Sequence, residues 1–373
     1  DLEAVRQVLR SDFLTQGPQI EAFERAVAEF CGAPHAVAFC NATAALHVGC
    51  LSLGVGPGDL VWTSPISFVA SANCARYCGA DVDFVDVDAR TYNMSAAALE
   101  RKLETARKAG RLPKVVVTVD FGGQPGELQA IAALRERFGF KIIEDASHAI
   151  GASYKGKRIG DGALADVTVF SFHPVKIVTT GEGGMALTAD PETARRLRLL
   201  RSHGVTRDPA WMAEGPHEPW EYEQIDLGFN YRLTDIAAAL GIAQLGRIEE
   251  FLKRRREIAA IYDAGLSGLA VTVPWQHPDT QSAYHLYVVR IRPDAQRSRR
   301  QVYDGLLSRG IAPNVHYMPI HLQPYYRKQG FAAGMFPQAE AYYREALSLP
   351  MYPGLTAPQQ QQVIAALGES LQS

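Results

Sequence analysis

Lysine is scarce in this chain: nine lysines stand against twenty-nine arginines among 373 residues. A lysine set in an apolar stretch of such a sequence therefore asks for a specific explanation. Charge of one sign is also missing, because the net charge is −2 at pH 7. That excludes a dominant nucleic-acid-binding or membrane-binding surface, since both need a strong basic excess. No apolar run reaches the roughly 18 residues that would cross a bilayer. The five cysteines (Cys31, Cys40, Cys50, Cys74 and Cys78) lie scattered in apolar segments. A zinc or redox site needs tighter clusters with histidine or cysteine partners, so no metal is expected and the thiols read as buried and cytosolic. The sequence opens on Asp1, with Asp1–Arg10 already patterned as a helix, and residues before it are expected to be missing.

What remains is a globular composition, 47% hydrophobic and 21% charged, long enough for one large and one smaller domain. From Phe30 to Asp190 strand-like and helix-like segments alternate. Ala36–Cys40, Leu60–Ser64, Val82–Val87, Val115–Val119, Lys141–Glu144, Val167–Phe172 and Met185–Thr188 read as strands. Ala42–Leu53, Ser67–Cys78 and Leu128–Phe138 read as helices. Such alternation predicts an α/β fold, a mainly parallel sheet sandwiched by helices, with ligands beyond the carboxyl ends of the strands. Ile236–Ile261 reads as one long helix linking two domains. Beyond it, short strands (Val271–Val273, His285–Ile291, Ala312–His316) and helices near Ser298–Ser308 and Pro358–Leu371 predict a smaller α+β C-terminal domain. The expected division is 1–245 and 246–373. The basic run Arg254–Arg256 reads as a solvated helix face.

The segment Phe170-Ser-Phe-His-Pro-Val-Lys176-Ile-Val carries the most chemistry. A lysine desolvated among Val175, Ile177 and Val178 has a lowered pKa, which makes it a candidate amine for condensing with an aldehyde. The alternative is a surface lysine whose stem lies along apolar neighbours. Asp145 closes the apolar run Lys141-Ile-Ile-Glu-Asp145, 31 residues before Lys176. A carboxylate at a strand's carboxyl end is what pyridoxal 5'-phosphate (PLP) needs to keep its ring nitrogen protonated; the alternative is a helix N-cap. Cys40-Asn41-Ala42-Thr43 follows a strand and opens a helix, whose free N–H groups suit a phosphate. Asn41 as an ordinary N-cap is the competing reading. The hydroxyls of Thr43 and Ser171 can add to a phosphate site. Phe68 could stack on a pyridine ring or be a core phenylalanine. Gly181-Glu-Gly183-Gly-Met-Ala186 matches a dinucleotide fingerprint but leads into a strand, so it reads as a turn and argues against a Rossmann dehydrogenase.

Taken with Leu14–Gly17, Ser64–Asn73, Glu144–Gly151, Phe170–His173, Arg201–Gly204, Gly228–Leu233 and Val315–Ile320, these segments resemble the DegT/DnrJ/EryC1/StrS sugar aminotransferases. The likeness runs from Leu14 to Gly354. It implies a fold type I PLP-dependent transferase. Its implied roles are Lys176 as the lysine bonded to the cofactor, Asp145 on the pyridine nitrogen, Phe68 on the ring, and Ala42, Thr43 and Ser171 on the phosphate. His148 would lie near the cofactor's phenolic oxygen. Asn230 would reach the phosphate from the other subunit of a homodimer with shared active sites.

Within the family the segments look most like those of enzymes that use L-glutamate to aminate C4 of a UDP-linked 4-keto-6-deoxy-N-acetylhexosamine, on the way to pseudaminic acid. Perosamine, 4-amino-arabinose or 3-amino-sugar enzymes, and a PLP-binding sensor without catalysis, are the alternatives. Thr15, Gln16, Arg232, His316, Tyr317 and the pair Tyr325-Tyr326 are the candidates for nucleotide-sugar contacts. The expected location is the cytoplasm.

Overall fold

The computed structural model describes residues 1–215 and 218–372. Seven strands form its main sheet: β1 (His35–Phe39), β2 (Leu60–Thr63), β3 (Asp81–Phe84), β4 (Val115–Val119), β5 (Lys141–Asp145), β6 (Val167–Ser171) and β7 (Gly184–Thr188). Their spatial order is β1-β7-β6-β5-β4-β2-β3. The pairs from β6 through β5, β4 and β2 to β3 are all parallel, and only β7 runs against its neighbours.

The alternation of side chains along each strand explains the sandwich. Ala36 and Ala38 of β1, with Phe170 and Met185, pack on the helices Pro18–Cys31 and Asp235–Leu245. Val37 and Phe39, with Val117, Ile143 and Val167, pack on the helix Ala42–Ser52 and its neighbours on the other face. Val116 and Ile142 meet a third cluster around Leu99, Leu103 and Phe138. The β-branched run of β4 is buried at every position, as expected of a strand covered on both faces.

A three-stranded antiparallel sheet of Val271–Thr272, Tyr287–Ile291 and Ala346–Leu349 builds a further core with the helices Ile248–Gly265, Arg299–Ser308 and Ala357–Gln372. Among the described residues no helix is long and apolar enough to cross a membrane.

Three expectations need correction. Ile236–Ile261 is two helices, Asp235–Leu245 and Ile248–Gly265, with a break at Gly246-Arg247; glycine is a weak helix former and ends the first run. Ala312–His316 is not a strand: only Asn314 bridges to Ser348, and Pro313 beside it has no N–H to offer a ladder. Arg255 is not solvated. It is buried, and its Nη1 donates to the carbonyls of Tyr284, His285 and Met351 at 3.1, 3.3 and 3.0 Å.

Candidate active site

The carboxyl ends of β5 and β6, the loop after β6 and the start of the helix Ala42–Ser52 surround a cavity of about 500 Å³. Ala42, Thr43, Phe68, Asp145, His148, Ser171, Lys176 and Tyr317 all line it. Residues from five separate stretches of sequence thus converge on one space, and the acid at 145 and the amine at 176 share it.

Lys176 sits in a loop closed at its neck, where Thr180 N–H and Thr179 Oγ1 both donate to the Phe172 carbonyl at 3.0 and 3.1 Å. Ile177 and Val178 anchor that loop in the core, while Val175 stays exposed on the cavity wall. Among the described residues no hydrogen bond or ion pair occupies Nζ of Lys176. Burial pulls its ammonium down to about 8, and the attraction of Asp145 opposes this only in part.

Asp145 caps no helix. Its Oδ2 accepts from Ser71 Oγ at 2.6 Å, and its Oδ1 accepts from the N–H and Oγ of Ser147 at 3.2 and 2.5 Å. These donors orient the carboxylate while it faces the cavity.

Asn41 does serve as N-cap, with its side chain accepting from Ala44 N–H at 2.8 Å. Among the described residues no acceptor meets the N–H groups of Ala42 and Thr43 in the first turn, where the helix dipole adds positive potential. Gly184 makes this cradle possible: a Cβ there would lie 2.5 Å from Ala42 N. Phe68 is 59% exposed and is no core residue. It lines the cavity, with its ring centroid 6.4 Å from that of Tyr317.

His148 is held from both sides. Gly122 N–H donates to Nδ1 at 3.3 Å, and Nε2 lies 3.2 Å from Tyr317 Oη. Burial, then the charges of Lys176 and His316, push its pKa well down, so the ring is neutral. With Nδ1 accepting, the single proton belongs on Nε2 and is donated to Tyr317. The phenol proton of Tyr317 is then free to point into the cavity. Burial and Asp145 both raise that phenol's pKa, so it stays protonated. His316 accepts or donates at Ser348 Oγ, 2.8 Å from its Nδ1, and burial followed by Lys176 lowers it to about 4.

The remaining candidates lie outside this cavity within one chain. Thr15, Gln16 and Asn230 are exposed; Arg232 and His316 are half-buried. Tyr326 is buried and donates to Asn73 Oδ1 at 2.7 Å, which removes it from the candidates for substrate contact, whereas Tyr325 stays exposed. Sequence reasoning missed Ser67, Ser71, Ser147, His173 and Glu182, all on the cavity or on Asp145. Ser147, two residues past the strand-ending acid, was open to inference as a local turn donor. Ser71 is 74 residues from its partner, and nothing local marks it.

The fit to PLP is testable on these features. The cavity offers a free amine, a carboxylate with fixed orientation, an exposed ring face and a helix start with unused N–H groups, which together match an aldehyde, a pyridine nitrogen, an aromatic ring and a phosphate.

Comparison with known proteins agrees. A model of the DegT/DnrJ/EryC1/StrS aminotransferase family matches residues 1–368. The chain is 38% identical over 371 residues to the spore coat polysaccharide biosynthesis protein SpsC of Bacillus subtilis (strain 168), covering 98% of this chain and 93% of that one. Helicobacter pylori PseC, an aminotransferase involved in the biosynthesis of pseudoaminic acid, superposes with a TM-score of 0.90 at 31% identity, over 99% of this chain and 95% of that one. The PLP form of Spr1654 from Streptococcus pneumoniae, described as a putative sugar aminotransferase, gives 0.88 at 29% identity over 99% and 95%. The chain therefore belongs to the DegT/DnrJ/EryC1/StrS aminotransferase family, as a PLP-dependent sugar aminotransferase.

Proposed function

We propose that this chain moves the amino group of L-glutamate to the C4 keto group of a UDP-linked 4-keto-6-deoxy-N-acetylhexosamine, the step that feeds pseudaminic acid synthesis. The observation that carries the chemistry is Lys176 and Asp145 on one cavity, the first with a free, partly desolvated amine. The likeness to PseC supports the sugar. The SpsC likeness favours a second reading, in which a different keto-sugar nucleotide is aminated for a surface polysaccharide.

When bound, PLP supplies an electrophilic aldehyde carbon and a ring that accepts an electron pair from the substrate carbon. The protein's share is positional and protonic. Lys176 would hold the cofactor through its Nζ. When not engaged with the cofactor, its Nζ would serve as the general base and acid that moves the donor's α-proton. The same Nζ would serve C4 of the sugar as the proton donor in the second half-reaction. Asp145, fixed by Ser71 and Ser147, would keep a positive charge on the ring nitrogen. His148, whose own N–H is given to Tyr317, would lie beside the phenolic oxygen, Phe68 would cover the ring, and the N–H groups of Ala42 and Thr43 with the Ser171 hydroxyl would hold the phosphate. Tyr317 presents its proton to the substrate side.

The large part, 1–245, carries the other groups, and the smaller part, 246–373, lends Tyr317. Thr15, Gln16, Asn230 and Arg232, which lie outside the cavity of their own chain, serve the partner's site in a homodimer. There Asn230 meets the phosphate and Arg232 a sugar-nucleotide diphosphate. A panel of UDP- and dTDP-linked keto sugars, each incubated with glutamate and the enzyme, tests the reading. Formation of 2-oxoglutarate and a 4-amino sugar only with the UDP-linked 4-keto-N-acetylhexosamine is expected. Preference for a dTDP sugar, or amination at C3, would replace it.

A further inference from the structure

Two buried acids behind Asp145 take no part in the chemistry above. Asp120, just past β4, is 0% exposed, and Glu144, the neighbour of Asp145 on β5, is 3% exposed. Adjacent residues of a strand face opposite ways, so Glu144 turns from the cofactor cavity toward a second one of about 190 Å³.

Half of each carboxyl is accounted for. Glu144 Oε2 accepts from Thr168 Oγ1 at 2.8 Å, and Asp120 Oδ1 accepts from Gly126 N–H at 3.3 Å. The other two oxygens, Glu144 Oε1 and Asp120 Oδ2, are buried with no donor among the described residues. The two side chains share a face of the sheet, because Thr118, two residues before Asp120, pairs with Glu144 across β4 and β5, and each acid acts on the other. Two orphaned acceptors side by side, out of water, are costly; a single proton between them satisfies both.

We infer that Asp120 and Glu144 share one proton, and that this carboxyl–carboxylate link positions Asp145 and His148 from behind. The link joins the ends of two adjacent parallel strands. Asp120 N–H donates to the Asp145 carbonyl at 3.1 Å. Asp120 also holds the loop that follows it, through Gly126 N–H on its side chain and Gly123 N–H on its carbonyl at 3.2 Å. That loop carries the Gly122 N–H that fixes the His148 ring. It has no slack, because a Cβ at Gly123 would lie 2.9 Å from the His148 carbonyl. The inference rests on the role given to Asp145 above.

The surroundings favour keeping the proton. Burial is the main cause for both acids; it drives Asp120 well up and Glu144 up to about 7. Asp145 and Glu144 add to this at Asp120, and Asp161 adds to it at Glu144. Cys31, itself raised to about 12 by burial, feels Glu144 and Asp161, with Arg158 opposing. Lys155, Lys157 and Arg158 line the smaller cavity beside Glu144. The two acids titrate as a unit, and their burial favours keeping a proton on the pair.

Infrared spectra of the PLP-loaded holoenzyme at a pH near 8, where ordinary carboxyls are fully ionised, test this against Asp120→Asn and Asp120→Ala. The amide of Asp120→Asn can accept from Gly126 and donate to Glu144 without any shared proton. The wild type minus Asp120→Asn difference should therefore show the C=O stretch of a protonated carboxylic acid. Asp120→Asn should retain the cofactor as the wild type does, while Asp120→Ala should release it on the order of tenfold faster. A difference spectrum without that band, or an Asp120→Ala enzyme that holds PLP as firmly as the wild type, overturns the inference. Should Asp120→Ala not fold, the infrared comparison decides alone. A failure of the cofactor reading would show separately, as wild-type protein with no visible PLP absorbance.

Discussion

Lys176 and Phe68 each stand where their side chain is ill at ease, an amine drawn out of water and a benzene ring left in it. The exposed ring gives a clean asymmetry. Phe68→Ala should leave the stability of the cofactor-free protein within about 0.5 kcal/mol, as for other exposed positions. It should also weaken PLP binding by about 0.5–1.5 kcal/mol, the worth of an aromatic contact, as read by equilibrium titration of the apoenzyme. The amine predicts a pH dependence. Burial lowers the Lys176 value from its ordinary range to about 8, so the side chain is charged below that pH and a free nucleophile above it. The rate at which PLP recombines with the apoenzyme, followed by absorbance, should rise with pH and level off above about 8. Asp145→Asn removes the attraction that opposes burial and should move the midpoint down. Both residues were legible in the sequence because their signal is local: a strand that ends on an acid, and a lysine fenced by apolar neighbours. Ser71 and the buried Arg255 were not. Their partners come from remote segments, and a run of arginines looks the same whether its middle member meets water or three carbonyls.

The helix Ala42–Ser52 offers a candidate binding site built of backbone alone, and another element gives way to it. Gly184 of β7 packs against the helix start, where a Cβ would come within 2.5 Å of Ala42 N. Gly184→Ala should cost about 1–3 kcal/mol of stability as an overpacked contact. It should weaken PLP binding further by pushing the phosphate-facing N–H groups aside, which calorimetric titration with PLP and with inorganic phosphate would register. The main-sheet strands were readable from period-two alternation and β-branched runs, because burial on both faces forces them. The break at Gly246-Arg247 and the loss of a strand at Ala312–His316 were not. Periodicity continues through the first, and the second turns on one missing N–H at Pro313. The glycine-rich stretch before β7 was read correctly as a turn, since a strand rather than a helix follows it.

At the scale of the whole molecule, four candidate contacts, Thr15, Gln16, Asn230 and Arg232, lie outside the cavity that their own chain encloses. If the sites are shared between subunits, a Lys176→Ala chain and an Asn230→Ala/Arg232→Ala chain, each impaired as homodimers, should recover activity when refolded together. One site of each hybrid then has a complete set. No recovery in a mixture shown to contain hybrids would place each site within a single chain. All of these expectations depend on one covalent partner for the cofactor. The most direct measurement is to reduce the PLP-loaded protein with borohydride, digest it and map the pyridoxyl group by mass spectrometry. The account predicts a single labelled peptide carrying the group on Lys176, and no such label in Lys176→Ala; a label on any of the other eight lysines, or none in the wild type, would contradict it.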